Sequence, residues 1–233
     1  MPNVYQFKDF AGSSHRILID MIRRSGVRGK LLDLGAAGGE LCEAVRDRFD
    51  STIAFEYDAG RIPQLRRRFD HGVIADLERI EKLPSNCDAI LLADVIEHLR
   101  DPAALLQLVR ASLNPGGRVF ISVPNIANLT IRIGLLFGFF IYRDRGILDS
   151  THLRFYTTQS LRSEIEGAGF QIVELSGSAV PIRLILGNYV PLPLIRLGEA
   201  ILSPLTQLWK ALLAYQLIIV ATPRPDAISA PDR

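Results

Sequence analysis

Two carboxylates and two imidazoles are the side chains of this sequence with the clearest potential for joint chemistry. Asp94, Glu97 and His98 follow one another at i, i+3 and i+4, so one turn of helix would place them on a single face. With the distant His152 they could bind a hard divalent ion. Alternatively, His98 is a general base, or it is a helix residue that packs beneath a bound cofactor. We expect no resident metal.

A glycine turn at residues 31–41 (LLDLGAAGGEL) is the strongest signal of a ligand site. An apolar strand ends at Gly35, and the helix that follows would point its free N–H groups at a ligand. A dinucleotide fingerprint needs glycine where this chain has Ala37. Glu56, about 20 residues further on, could bind two ribose hydroxyls. The pattern therefore favours S-adenosylmethionine over NAD.

Composition indicates one globular domain with a large core. The chain has 233 residues, 48% of them hydrophobic, and a formal net charge of +2, which is too small to indicate a nucleic-acid partner. The two cysteines have no metal-ligand spacing, and residues 1–20 do not resemble a signal peptide. These features predict a cytoplasmic protein.

Strand-like and helix-like segments alternate along the chain, which predicts a mostly parallel sheet covered by helices on both faces. The pattern predicts helices at about 13–25, 39–49, 60–69, 102–113 and 158–168. It predicts strands near 30–34, 52–57, 72–75, 87–93, 117–123, 170–176 and 214–221. We expect one domain over residues 1–223, with an insertion at about 178–212, and a disordered tail over 224–233.

Taken in order, the motifs resemble those of the class I S-adenosylmethionine-dependent methyltransferases. They are the glycine turn, FEYD at 55–58, IADL at 74–77, DAILLADVIEHL at 88–99, NPGGR at 114–118 and SVPN at 122–125. The resemblance covers residues 12–223, and it departs from the usual pattern at Ala37. It implies an α/β fold with a seven-stranded, mostly parallel Rossmann-like sheet. An apolar helical insertion would precede the last strand.

The resemblance also implies roles for particular residues in binding the co-substrate. Asp33 would hold the methionine amino group through water, or it only stabilises the turn. Glu56 would hold the ribose, and Asp76 the adenine amine, although Asp94 could also lie near the adenosine. The predicted cofactor-binding residues are Asp33, Gly35, Ala36, Gly38, Glu56, Tyr57, Asp76, Leu77 and Asp94.

A second segment, GILDSTHLRFYT at 146–157, resembles the subgroup related to ubiquinone-pathway O-methyltransferases and to methyltransferases of cell-surface glycan pathways. Such a segment would lie over the carboxyl ends of the strands, where open α/β sheets bind ligands. His152 and Arg154 would then face the substrate, together with Asn125. Alternatively, Asp149 and His152 only fix the turn before the helix near residue 158.

The expected reaction is an in-line methyl transfer in which the protein positions the reactants and accepts a proton from a hydroxyl. His98 and His152 are the predicted catalytic residues, because His15 and His71 are expected on the first helix and before the third strand. The acceptor would be a small molecule, a glycan or a lipid-linked intermediate. Two alternatives are a metal-dependent RNA 2′-O-methyltransferase, which the Asp94 cluster resembles, and a non-catalytic binding module.

Apolar segments at 133–142 and 181–213 are too interrupted by charges and prolines to cross a membrane. Trp209, with Leu205, Leu208 and Leu212, could instead form a helix face that rests on lipid. The alternative is that this face covers the substrate cleft or a second subunit. The sequence therefore allows a peripheral position on the inner face of the membrane.

Overall fold

A computed structural model describes residues 7–8, 10, 12–183 and 189–225. The strands are β1 (Gly29–Leu34), β2 (Phe49–Glu56), β3 (His71–Ile74), β4 (Cys87–Ala93), β5 (Leu113–Pro124), β6 (Phe170–Ser178) and β7 (Gln216–Pro223). The α-helices are α1 (Ser14–Ser25), α2 (Glu40–Glu43), α3 (Ile62–Arg68), α4 (Pro102–Ser112), α5 (Leu129–Leu136), α6 (Thr158–Gly167), α7 (Leu192–Leu208) and α8 (Lys210–Leu213). Short 3₁₀ helices cover Arg46–Arg48, Ala59–Arg61 and Ile96–His98.

The seven strands form one sheet in the order β3-β2-β1-β4-β5-β7-β6. β7 runs antiparallel to both of its neighbours, and the other pairs are parallel. This is the predicted Rossmann-like α/β fold. Because β7 is reversed, its first residue lies at the edge where the other strands end.

Alternate residues of the central strands enter two separate apolar cores, as expected for a sheet covered on both faces. Leu32 and Leu92 pack in one core with residues of α4 and α6. Leu31 and Leu91 pack in the other core with residues of α1, α2 and α3. The sheet is therefore a rigid support for the loops at its carboxyl edge.

The capping signals around α4 are confirmed. Asp101 accepts a hydrogen bond from the Ala104 N–H at 3.1 Å, and Pro102 is the first helical residue. The predicted helix at 39–49 is wrong: α2 ends at Glu43, and Phe49 already belongs to β2. The reason is tertiary, because Phe49 pairs with Gly29 in β1 and must be extended.

The predicted apolar helical insertion lies between β6 and β7, where α7 and α8 are found. Residues 184–188 of the insertion and 226–233 of the predicted tail lie outside the described residues. Within the described parts of the chain, no helix is both long and apolar enough to cross a membrane.

Candidate active site

The glycine turn after β1 is tight. The N–H groups of Gly35 and Ala36 both donate to the Phe55 carbonyl, at 2.8 and 3.1 Å. Gly35 has φ +77°, and a Cβ at this residue would lie 2.7 Å from Cγ2 of Val95. Glycine is therefore required at this position, which holds the turn against the end of β2.

Glu56, at the end of β2, is fixed by backbone N–H groups. Its Oε2 accepts from the Ala37 N–H at 2.7 Å, and its Oε1 accepts from the N–H groups of Tyr57 and Asp58, each at 3.0 Å. The carboxylate is thus held beside the glycine turn before any ligand arrives. This position is consistent with the predicted ribose contact.

Asp33 is almost completely buried, and its Oδ2 has no hydrogen-bond partner in the described part of the chain. Burial, followed by the negative charge of Glu56, raises the pKa of Asp33 from 3.8 to about 7. A carboxyl group without a partner is unfavourable in a protein interior unless a ligand satisfies it. A cationic ligand would therefore be bound more favourably here than a neutral one.

The remaining predicted cofactor residues surround the same turn and strand ends. Asp76, after β3, accepts from the Glu78 N–H at 3.0 Å. Leu77 is half-buried against the core, whereas Tyr57 is 75% exposed. The Gly38 carbonyl accepts a hydrogen bond from the Arg68 guanidinium. Their contacts with a cofactor remain predictions.

Asp94 follows β4 in the left-handed backbone region, with φ +55°. Its carboxylate accepts from Nε2 of Gln216 and Oγ of Ser122, each at 2.7 Å, and lies 3.6 Å from Nζ of Lys8. Burial acts to raise the pKa of Asp94, but these groups and His15 hold it below its usual value. In the described part of the chain, the group of potential metal ligands that contains the histidine pair does not include Asp94. The four-ligand arrangement considered as an alternative in the sequence therefore has three of its members, Glu97, His98 and His152, in that group.

His98 and His152 lie together, with ring centroids 4.8 Å apart. Nδ1 of His152 lies 3.1 Å from the Ile147 carbonyl, and Nδ1 of His98 lies 3.2 Å from the Thr151 carbonyl. Because a carbonyl can only accept, Nδ1 of His152 carries the proton and its Nε2 is left as a base or ligand. Nδ1 of His98 also lies 3.2 Å from the Thr151 hydroxyl, which can donate or accept, so either tautomer of His98 fits. Burial is the main cause that lowers the pKa of His152, which favours its neutral form.

Glu97 lies beside this histidine pair and has no hydrogen-bond partner for either carboxylate oxygen among the described residues. Burial, and then the charge of Asp94, raises its pKa well above the usual value. One potential ligand atom from each of Glu97, His98 and His152 lies within 4.8 Å of the others. An unsatisfied buried carboxyl beside two imidazoles is a donor set that fits a divalent cation.

The segment that carries His152 is tied to Glu97 through the backbone. The N–H groups of Leu153 and Arg154 both donate to the Glu97 carbonyl, at 2.9 and 3.0 Å. The Arg154 side chain is exposed and donates to the Arg100 carbonyl. The predicted position of this segment over the carboxyl ends of the strands is therefore observed.

Asn125 does not have the position expected of a substrate-binding residue. Its side chain has no exposed surface, and its Nδ2 donates to the Ala214 carbonyl at 2.9 Å. Its Oδ1 accepts from the Ala127 N–H at 3.0 Å. The amide is used to join the end of β5 to the end of α8, so the prediction of substrate contact is not supported.

Three residues near Asp94 were missed by the sequence analysis. Gln216 is a polar residue at the start of an apolar strand, which is a signal that could have identified it. Lys8 gave no such signal. His15, which the sequence correctly places on the first helix, lies near the site: its Nδ1 accepts from the Lys8 N–H at 3.1 Å, and burial lowers its pKa to about 4.

Comparison with known proteins identifies the class. A family model described as a methyltransferase domain matches residues 11–175. A structure of a SAM-dependent methyltransferase from Archaeoglobus fulgidus aligns with a TM-score of 0.57 at 19% identity, covering 90% of this chain and 94% of that one. The chain therefore belongs to the class I S-adenosylmethionine-dependent methyltransferases, whose co-substrate is S-adenosylmethionine.

The named relatives include ubiquinone biosynthesis O-methyltransferases. The protein from Pseudomonas aeruginosa (strain LESB58) is 31% identical over 110 residues, covering 44% of this chain and 47% of the relative. The human mitochondrial protein is 27% identical over 158 residues, covering 64% of this chain and 43% of the relative. The chain thus spans less than half the length of these two relatives.

Changing Glu56 tests the cofactor site directly. We expect Glu56→Ala to weaken S-adenosylhomocysteine binding by about 1–3 kcal/mol, because a charge-assisted hydrogen-bond acceptor for the ribose is lost. Isothermal titration calorimetry measures this change, with thermal unfolding as a check of the fold. Glu174→Ala, on the edge strand β6, is the matched control. Equal affinity in the two variants, or tighter binding of NAD by the unchanged protein, contradicts the assignment.

Proposed function

We propose that this chain transfers the methyl group of S-adenosylmethionine to a hydroxyl oxygen of a small molecule, a glycan or a lipid-linked intermediate. The observation that carries the proposal is the orientation of His152. Its Nδ1 donates to the Ile147 carbonyl, so the neutral ring presents Nε2 as a proton acceptor. That atom would remove the proton of the acceptor hydroxyl.

A hydroxyl acceptor needs such a group, because it is a poor nucleophile and the sulfonium supplies no base. Imidazole is the side chain best matched to proton transfer near neutral pH. Burial lowers the pKa of His152, so the ring is ready to accept a proton without first losing one. His98, with its ring centroid 4.8 Å away, is the second candidate base.

Two buried carboxyl groups, one at the glycine turn and one beside the histidine pair, support a cationic co-substrate. Asp33 and Glu97 are buried carboxyl groups whose pKa values are raised, and both contain oxygens without a partner among the described residues. S-adenosylmethionine has a positive sulfonium and a positive amino group, and these would offset that unfavourable burial. A neutral methyl donor would not.

The unsatisfied oxygens of Glu97 also support a second version of the same reaction, in which a divalent ion takes part. Glu97, His98 and His152 would hold the ion. A bound divalent ion would supply Lewis-acid polarisation of the acceptor oxygen. In this version the two imidazoles bind the ion, and neither acts as a base.

The relatives support oxygen as the atom methylated, because their names state O-methyl transfer in ubiquinone biosynthesis. They do not define the acceptor of this chain. The resemblance at 146–157 supports the same choice, since that segment contains His152.

Radiolabelled methyl transfer tests the proposal. The protein is incubated with S-adenosylmethionine labelled in its methyl group and with a panel of phenols, catechols and glycans. The assay is run with EDTA and with added Mg²⁺ or Mn²⁺. We expect a labelled methyl ether, and no product from acceptors whose hydroxyl is already blocked.

The assay also separates the alternatives. Activity that survives EDTA supports His152 as the base, whereas activity restored only by a divalent ion supports the version with a bound cation. Methylation of an RNA 3′ end, or tight cofactor binding without transfer to any acceptor or extract component, contradicts the proposal.

A further inference from the structure

One face of α7 is apolar and uncovered. Five exposed apolar residues follow one another at intervals of three or four, and their exposed fractions range from 46% to 85%: Leu194, Leu197, Ile201, Leu205 and Leu208. Such spacing places them in one stripe. The opposite side of the helix packs on the protein, where Ile195 and Thr206 are buried. One side of α7 therefore packs on the protein, and the apolar stripe on its other side is exposed to solvent.

A second uncovered apolar surface begins in α5 and continues into the loop after it. Leu136, Phe137, Phe139 and Ile141 are between 61% and 79% exposed. Monomeric proteins rarely leave large apolar patches in water without a binding role. We refer to this segment, residues 136–142, as the aromatic loop, and to the exposed face of α7 as the α7 stripe.

The segments that carry these two surfaces both start at the same edge of the sheet. Nδ2 of Asn128, at the start of α5, donates to the carbonyls of Leu213 and Ala214 at 3.1 and 2.9 Å. The start of β7 pairs with the end of β5 and with the end of β6. The aromatic loop and the insertion that contains the α7 stripe are therefore anchored to each other at the carboxyl edge.

The aromatic loop borders the histidine pair. The rings of Phe140 and Phe155 have centroids 5.9 Å apart, and Phe155 lies 6.3 Å from the ring of His152. The rings of Phe140 and Tyr142 are also in contact, with centroids 5.5 Å apart. A continuous series of rings thus links the exposed loop to the candidate base.

The charges near these surfaces are mostly positive. Over residues 129–145 and 178–215 the sequence has six basic and two acidic residues, the latter being Asp144 and Glu199. Arg143 and Arg145 beside the aromatic loop, and Arg196 in α7, are exposed. An anionic bilayer complements this charge, and aromatic side chains favour the membrane interface. A symmetric contact between two copies would bring the same basic residues together.

We propose that the aromatic loop and the α7 stripe dock on an anionic lipid bilayer, with the histidine pair near the membrane surface. The inner leaflet of the cytoplasmic membrane has the required charge. An acceptor with an apolar lipid tail could then reach His152 while its tail stays in the bilayer. This last step rests on the function proposed above, whereas the docking does not.

Vesicle flotation tests the docking independently of catalysis. The unchanged protein is mixed with phosphatidylcholine vesicles, with or without phosphatidylglycerol, at low and high salt. We expect binding to the phosphatidylglycerol vesicles that weakens with salt. The double variants Leu197→Glu/Ile201→Glu and Phe137→Glu/Phe139→Glu should each reduce binding by about tenfold or more, since apolar insertion supplies much of the affinity. Val173→Glu, at a 53% exposed apolar residue of β6, is the matched control.

Calorimetry with S-adenosylhomocysteine shows that each variant is folded, and turnover of a water-soluble acceptor reports separately on the proposed function. Absence of vesicle binding by the unchanged protein overturns the docking proposal, whatever the variants do. So does binding that resists both double variants. Concentration-dependent dimerisation that these variants abolish, measured by analytical ultracentrifugation, would instead assign the surface to a second copy.

Discussion

Replacing His152 with alanine should lower turnover by about 10²–10⁴-fold, the usual contribution of a general base. Affinity for S-adenosylhomocysteine should change little, because the imidazole acts on the acceptor. His152→Asn should be as slow, since its amide can still donate to the Ile147 carbonyl but contains no basic nitrogen. His71→Ala, at an exposed position in β3, is the matched control. Steady-state kinetics with a single acceptor measures these effects.

The pH dependence tests the same role. A base must be neutral to accept a proton, so activity should fall in acid as His152 becomes protonated. Because burial lowers the pKa of His152, the midpoint should lie below the ordinary value of 6.5, and the rate should be constant near neutral pH. If His98→Ala and His152→Ala are equally slow and EDTA abolishes activity, the pair binds an ion. Full activity of the His152→Asn variant would show that His152 is not the general base.

Asp33→Asn should stabilise the cofactor-free protein, and increasingly so as the pH rises. The folded-state pKa of about 7 lies above the unfolded value of 3.8, so the folded protein holds a proton that the unfolded chain has lost. Stability therefore falls with rising pH across this interval, by about 1.4 kcal/mol per pH unit. The advantage of the asparagine variant should grow by about 2 kcal/mol between pH 5 and 7 and level off above pH 7.

Urea denaturation at several pH values, without ligand, measures this advantage. Asp50→Asn is the control for removing an exposed carboxylate. The same Asp33 variant should bind S-adenosylmethionine more weakly, because the cationic ligand loses its counter-charge. An advantage that stays constant with pH would mean that Asp33 is charged in the folded protein.

The general fold and the cofactor turn follow from local signals. A glycine with positive φ, an N-cap followed by proline and alternation of strand-like and helix-like segments all have local physical causes. The helix at 39–49 was mispredicted, because pairing of Phe49 with Gly29 is a contact between distant residues. Local propensity contains no information about that contact.

In the candidate site, too, features with local signals could be predicted and contacts between distant residues could not. His98 and His152 were identified by residue type, and the structure brings their rings together. Gln216 stands out as a polar residue in an apolar strand, but its contact with Asp94, and that of Lys8, could not be predicted because both residues are distant from Asp94 in the sequence. Asn125 was assigned to the substrate on a motif, but its burial depends on α8, which approaches only in the folded protein.

The reversed direction of β7 also has an evolutionary consequence. Ser178 and Gln216, the residues on either side of the insertion, are paired neighbours in the sheet. A short hairpin could connect these two residues without moving any strand. The length and sequence of the segment between them can therefore change without disturbing the sheet. Because this segment begins and ends at the carboxyl edge of the sheet, its replacement would change the surface beside the histidine pair while strands β1 to β5 stay in place.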